Sequence, residues 1–206
     1  MIKKYIYELT TYASNLENID ITIGQTKKLV DDLDDLNLNF YNKNIVLNLY
    51  QTYKKVIHEE IEYNEKFPVL TLMEINKNIG ERIIIDNGKI RNQSVLITGT
   101  SYKPPVVNEE LINNVILDSL YDLNIDSVLS LQCKLMKLQP FNDGNKRTSM
   151  IFTNLLLSKH FNQVLVVKDI EKYRSLFVNY YETDNNEKLI AFLKRNLKGK
   201  TKRMLV

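Results

Sequence analysis

A chain of 206 residues, 44% hydrophobic and 26% charged, can bury an ample core and needs no disulfide or metal staple to fold. Lys and Arg number 28 against 25 Asp and Glu, and the resulting net charge of +3 is too small a surplus to imply a nucleic-acid partner. The lone Cys133 excludes a disulfide framework, the two histidines (His58 and His160) leave little for His-based metal chemistry or a Ser/His triad, and no apolar run nears the ~20 residues of a membrane span.

From Met1 to Tyr12 there are basic residues but no apolar core or small-residue cleavage site, so no signal peptide is expected and the cytoplasm is the default location. Asp31, Asp32, Asp34 and Asp35 read as a solvated acidic patch. The helix breakers are six Gly and four Pro, and they cluster. Gly80, Gly88, Gly99, Pro104 and Pro105 crowd one stretch, Pro140 and Gly144 another, while Gly24, Pro68 and Gly199 stand apart. The remainder reads as helix, which predicts an all-α domain with one short β insertion over residues 81–102.

In that insertion Ile83, Ile84 and Ile85 are β-branched, Asp86-Asn87-Gly88 is a hairpin-type turn signal, and residues 94–98 form a second strand-like run. Such a flap offers backbone hydrogen bonds to a partner. Pro104-Pro105 ends it, and a helix follows from about Asn108. Ser127 is placed to cap a helix whose apolar residues Val128, Leu131, Leu135 and Leu138 keep helical spacing. A second helix begins after Gly144, with apolar residues around most of its circumference, the pattern of a central buried helix. Ile170–Tyr181 and Glu187–Leu197 read as outer helices. Lys194, Arg195, Lys198, Lys200, Lys202 and Arg203 make a basic tail that complements a helix C-terminus or meets an acidic partner.

The loop between the two core helices, Gln139 to Thr148, carries the chemistry. Lys146 and Arg147 occupy the first helical turn, where the dipole is positive and each cation costs about 0.3–1 kcal/mol. An anion docked at the helix N-terminus reverses that sign: free N–H groups, a Gly144 that permits close approach and two cations converge on phosphate. Asp143 would repel a bare phosphate, but Mg²⁺ favours one or two carboxylates plus phosphate oxygens, so a metal-bound polyphosphate is the expected ligand. The competing reading makes Asp143 or Asn142 a plain N-cap and the basic pair solvated surface. The loop is not a Walker A motif, which needs G-x-x-x-x-G-K-[ST].

Pro140, Phe141, Asp143, Gly144, Asn145, Lys146, Arg147 and Thr148 resemble the Fic/Doc (Fido) family signature H-P-F-x-[DE]-G-N-G-R-x-x-R, whose Doc-like branch carries D-[AG]-N-K-R-T. The likeness extends to the flap over Arg91–Pro105, to Asn154 and Leu157 in an N-x-x-L helix, and to Tyr180-Tyr181. Residues 13–22 resemble the segment that carries an N-terminal inhibitory helix.

The resemblance implies an all-α Fic-fold helical bundle with a small β-hairpin flap. It divides the chain into N-terminal helices (1–66, with the inhibitory helix) and a Fic core (67–206, flap at about 81–105, then the C-terminal helices). It implies transfer of AMP or phosphate from Mg²⁺-bound ATP, or another nucleotide, to a hydroxyl of a protein target. Asp143 would hold Mg²⁺. Phe141, Asn142, Gly144, Asn145, Lys146 and Arg147 would bind nucleotide, with Asn145 and Arg147 counted as catalytic. Ser94, Val95, Leu96, Ile97 and Thr98 would bind the target, Glu17 would inhibit, and an antitoxin-like regulator is a further implied partner.

Three positions depart from the signature. Gln139 stands where the family has its catalytic His, and an amide cannot take a proton near neutral pH. His160 cannot substitute, since thirteen residues along a helix from Arg147 is roughly 20 Å. Met150 replaces the family's last Arg, the usual partner of the inhibitory Glu, and reads as core. Lys146 replaces a Gly, which leaves open whether AMP or phosphate is transferred. Three functions are open: a slow transferase in which Gln139 orients the acceptor, a Fic-fold pseudoenzyme that binds nucleotide or protein without turnover, or an inert helical interaction domain whose loop is only structural.

Overall fold

Side-chain caps and periodic apolar residues set most of the helices. The computed structural model describes residues 1–32 and 36–200, so Asp34 and Asp35 of the acidic patch and Lys202 and Arg203 of the tail lie outside the described residues. Helix α1 (Ile2–Asn15) buries Ile2, Ile6, Leu9 and Ala13, one face at helical spacing. Thr22 and Gln25 form a reciprocal capping box for α2 (Ile23–Asp31). Asn39 caps α3 (Phe40–Ile57), and Pro68 opens α4 (Pro68–Ile79) at a first-turn position that needs no N–H. Asn108 caps α5 (Glu109–Ser119), as the sequence suggests. For α6 (Ile125–Leu138) the cap is Asn124, not Ser127; Ser127 is the third residue of the capping box and bonds back to the Asn124 N–H.

The outer helices α8 (Ile170–Thr183) and α9 (Glu187–Arg195) sit where the periodicity puts them. Helix α7 (Asn145–Leu156) runs through the middle of the bundle. Nearly all of its side chains are buried, and it continues into a π-helical turn, Leu157–Phe161. Burying Met150, Ile151, Phe152, Leu155 and Leu156 stabilises by about 1.5–3 kcal/mol each, far more than two cations at the wrong end of the dipole cost. The helix can therefore carry Lys146 and Arg147 in its first turn without unwinding. Among the described residues the buried apolar side chains form one cluster, drawn from both the 1–66 and the 67–206 parts.

The architecture is the expected helical bundle with a little antiparallel sheet, but the strands lie elsewhere than expected. Residues Gln163–Leu165 (β1) pair antiparallel with Leu197–Gly199 (β2), with Val164 opposite Lys198. Asn154 of α7 fastens β1, accepting from the Leu165 N–H at 2.7 Å. Residues 81–105 contain turns and extended backbone and no strand ladder. The turn at Asp86-Asn87-Gly88 exists, but it is spent on α4: Asn87 Nδ2 donates to Lys77 O at 2.8 Å, and the Gly88 N–H donates to Asn76 Oδ1 at 2.8 Å. A turn tied to a helix cannot also close a hairpin, and the polar residues that follow have no strand to pair with.

Instead, side chains pin the flap at both roots. Arg91, 3% exposed, donates to Gln139 O at 2.6 Å, Leu138 O at 3.1 Å and Gln93 O at 2.7 Å, and also to Pro105 O. At the far root Glu182 of α8 accepts from the Ser101 N–H at 2.8 Å and from the Thr100 hydroxyl. Tyr102 stacks on Tyr181 there.

Candidate functional site

The two core helices meet at the loop 139–144, and each step of that turn is locally specified. Gln139 ends α6 in the left-handed region at φ 50°, with its backbone N–H on Leu135 O. Its side-chain amide folds back and donates to Met136 O at 2.6 Å. Phe141 is buried, and Asn145 brackets its peptide: Asn145 Oδ1 accepts from Phe141 N–H at 2.9 Å, and Nδ2 donates to Phe141 O at 2.8 Å. Asn145 thus holds the loop shut with its amide. Gly144 precedes α7 at φ 77°, a conformation that L side chains rarely adopt. Asn76 of α4 sits beneath, donating to Asp143 O at 3.1 Å and to Thr148 Oγ1 at 3.0 Å. The result is an open N-terminus on α7, with no side-chain cap.

A cavity of about 490 Å³ opens in front of that N-terminus. Gln139, Asn142, Asp143, Gly144, Asn145 and Lys146 form its polar wall. Met136 and the α8 residues Tyr173, Phe177, Val178 and Tyr181 give an apolar wall. Leu96, Ile97 and Thr98 of the flap reach the rim, whereas Ser94 and Val95 do not line it. Leu16 and Glu17, from the end of α1, close another side. The sequence-predicted residues are therefore mostly brought together, with Phe141 and Arg147 buried behind the wall.

Arg147 is 1% exposed, and its Nε and one terminal nitrogen have no hydrogen-bond partner. Two carboxylates face it at ion-pair range: Glu17 Oε1 lies 3.5 Å from Nε, and Asp143 Oδ1 lies 3.4 Å from the other terminal nitrogen. Glu17 also lies 3.6 Å from Lys146 Nζ. The sequence leaves Glu17 without its usual partner because Met150 replaces the family Arg. In the structure Met150 is core, and Glu17 rests on the two remaining cations.

The two carboxylates on the cavity wall, Glu17 and Asp143, face Arg147 and Lys146 at ion-pair range. Burial pushes the Tyr173 and Tyr181 hydroxyls above the usual phenol range, so both stay protonated. Neither histidine lines the cavity: His58 caps the end of α3, and His160 sits in the π-helical turn against Tyr63, its pKa lowered by burial. Among the described residues no cluster of three His, Cys, Asp or Glu side chains could hold a metal ion by itself. Asp143, half exposed on the cavity wall, offers a single carboxylate, so phosphate oxygens would have to supply the other strong ligands.

The sequence does not single out Asn76 or Arg174. Asn76 interrupts the apolar face of α4 among Val69, Leu72, Ile75 and Ile79, and a polar residue in a buried stripe is the signal that could have found it. Arg174 of α8 reaches the end of α1, whose last turn contains no cation of its own.

The Fic/DOC family model matches residues 66–157. The matched segment is 92 of the chain's 206 residues. It spans α4 to the π-helical turn, so the Fic match includes the whole 139–148 loop, while α1 and its Glu17 lie outside it. Over 207 aligned residues the chain is 23% identical to the protein adenylyltransferase Fic of Drosophila willistoni, covering 93% of this chain and 40% of that protein. The fold is similar to that of Fic-1 from C. elegans, with TM-score 0.78, 16% identity, 95% of this chain and 61% of that one. It is also similar to BepC from Bartonella tribocorum, solved with bound AMPPNP, with TM-score 0.60, 11% identity, 81% of this chain and 92% of that one. The chain thus spans under half the length of its curated relative, and no described helix is long and apolar enough to cross a membrane.

Proposed function

We propose that the cavity binds a nucleotide polyphosphate with Mg²⁺, and that the chain is a Fic-type transferase acting on a hydroxyl of a protein target. One observation carries the reading: the buried guanidinium of Arg147, with two nitrogens that make no hydrogen bond, lies beside an uncapped helix N-terminus and is ion-paired to an internal carboxylate. A cation in that position is stabilised only by an anion in front of it, and Glu17 fills that place. A triphosphate would take it over, with Gly144 allowing close approach and Lys146 adding a second charge. The AMPPNP in BepC is consistent with this use of the fold.

In this reading Asp143 would hold Mg²⁺, which would neutralise phosphate charge beside the carboxylate. The apolar wall of Met136, Tyr173, Phe177 and Val178 suits a nucleobase. The exposed edge at Leu96–Thr98 suits an extended target segment added as a strand, and an antitoxin-like regulator would act at the same face. For AMP transfer the target hydroxyl oxygen bonds to Pα, the bond from Pα to the bridging oxygen breaks, and pyrophosphate leaves. The hydroxyl proton goes to water, because Gln139 cannot accept it. Electrostatic stabilisation by Arg147, Lys146 and the helix N-terminus then supplies most of the catalysis.

A second reading keeps the nucleotide and drops the turnover. It is favoured by the Gln139 amide, which is committed to Met136 O and turned to helix capping. Gln139→His separates the two. Restoring a base is expected to raise transfer by about 10²–10⁴-fold, read by intact mass as a gain of AMP or phosphate on the chain or on lysate proteins. If the variant binds ATP but transfers nothing, the binding module is correct.

A further inference from the structure

We propose that Arg174 is a positioning residue that latches the end of α1, and so decides how firmly Glu17 occupies the anion site. The proposal rests on the nucleotide reading of that site and adds to it what holds the internal competitor in place.

The end of α1 has an electrostatic deficit that another element supplies. Its last turn holds no cation, although its final carbonyls are negative and lie at a cavity rim. Arg174, distant in sequence, fills the deficit from α8. One terminal nitrogen donates to Asn15 O at 3.2 Å, Leu16 O at 2.9 Å and Asn18 Oδ1 at 2.6 Å, while the other meets Glu171 at 3.2 Å. These acceptors flank Glu17 in sequence. Asn18 is left-handed, with φ 61°, a strained state that its bond to Arg174 helps to hold.

Beneath the latch, Leu16 is fully buried, and Ile19 and Ile21 re-enter the core beyond the turn. Arg174 is itself fixed, because Tyr173 and Phe177 anchor α8 in the interior. With its backbone held on both sides, the Glu17 carboxylate is directed at Lys146 and Arg147. Lys146 also donates to Leu16 O at 3.4 Å, so the cation that a nucleotide would recruit is tied into the same corner. Polyphosphate entry must move Glu17, and moving Glu17 strains a corner whose carbonyls Arg174 grips.

The test measures Mg²⁺-ATP affinity by calorimetry, and hydrogen exchange, for the full chain, Glu17→Gly, Arg174→Gln and the double variant. Glu17→Gly removes the competitor and is expected to tighten binding by about fivefold or more. Arg174→Gln is expected to tighten it in the same direction, and to leave affinity unchanged when Glu17 is already Gly. It is also expected to speed exchange at the amides of Glu17, Asn18 and Ile19, which bond within this corner. Weaker binding of Arg174→Gln in the Glu17→Gly background would make Arg174 a direct ligand and overturn the proposal. Unchanged affinity, or unchanged exchange at those amides, would overturn it as well. If neither the wild type nor Glu17→Gly binds the nucleotide, the reading of the cavity itself fails, and with it the latch as a gate on nucleotide.

Discussion

Gly144 shows how little freedom the loop has at the scale of one residue. Its φ of 77° already disfavours an L side chain, and a Cβ would lie 3.1 Å from Asn76 Nδ2 and Ile79 Cδ1 and 3.2 Å from Ile84 Cδ1. Gly144→Ala is therefore expected to lower unfolding free energy by about 1–3 kcal/mol in urea titration, and to weaken nucleotide binding by moving the α7 N–H groups. At this scale the sequence reading is strong where chemistry and neighbours coincide. Lys146 and Arg147 point the sequence reading to an anion because both cations oppose the helix dipole, beside a Gly144 that leaves room for close approach. Asn76 stays hidden because its partners lie at Asp143 and Thr148, far along the chain, and only the fold brings them under the loop. Glu17, by contrast, is named only through the family resemblance, because its contact with Arg147 joins the turn after the first helix to the seventh and no local pattern marks it.

At the scale of elements, the flap is held by side chains and not by a sheet, and this has a consequence for pH. Hydrogen bonds from Thr100 and Ser101 lower the Glu182 carboxyl below its ordinary value of 4.5. A depressed folded pKa means that this clasp contributes fully above the ordinary carboxylate range and is lost as pH falls through the lower folded value. Exchange at the Ser101 amide is thus expected to quicken as pH falls below about 4.5, beyond the intrinsic pH dependence, and to be insensitive to that fall in Glu182→Gln. The helices α5 to α9 are legible because their caps, breakers and apolar spacing are local. The flap is misread because β-branched residues and a turn signal describe what a segment could pair as, while Asn76 and Arg91 decide what it binds. The small sheet that does form joins residues 163–165 to 197–199, runs too short for periodicity to mark.

Over the whole molecule, one apolar cluster among the described residues joins the N-terminal helices to residues 67–200, so Arg147 and Glu17 sit on elements that share one core. That core leaves Cys133 without water: burial pushes its thiol up to about 12. A folded pKa raised above the ordinary 9.0 makes the thiol's contribution to stability complete below that value and lost as pH rises toward 12. The native protein is expected to resist a thiol reagent at pH 8 and to react in denaturant, and its stability is expected to fall above about pH 9. Arg147 and the start of α7 are proposed to bind a Mg²⁺-bound polyphosphate. Calorimetric titration of Mg²⁺-ATP into Glu17→Gly, with and without Arg147→Met, tests it most directly. Binding to the first and an at least tenfold weaker affinity in the second, at unchanged helical content, is the predicted result. Equal affinity in both, or no binding by Glu17→Gly at millimolar nucleotide, would contradict it.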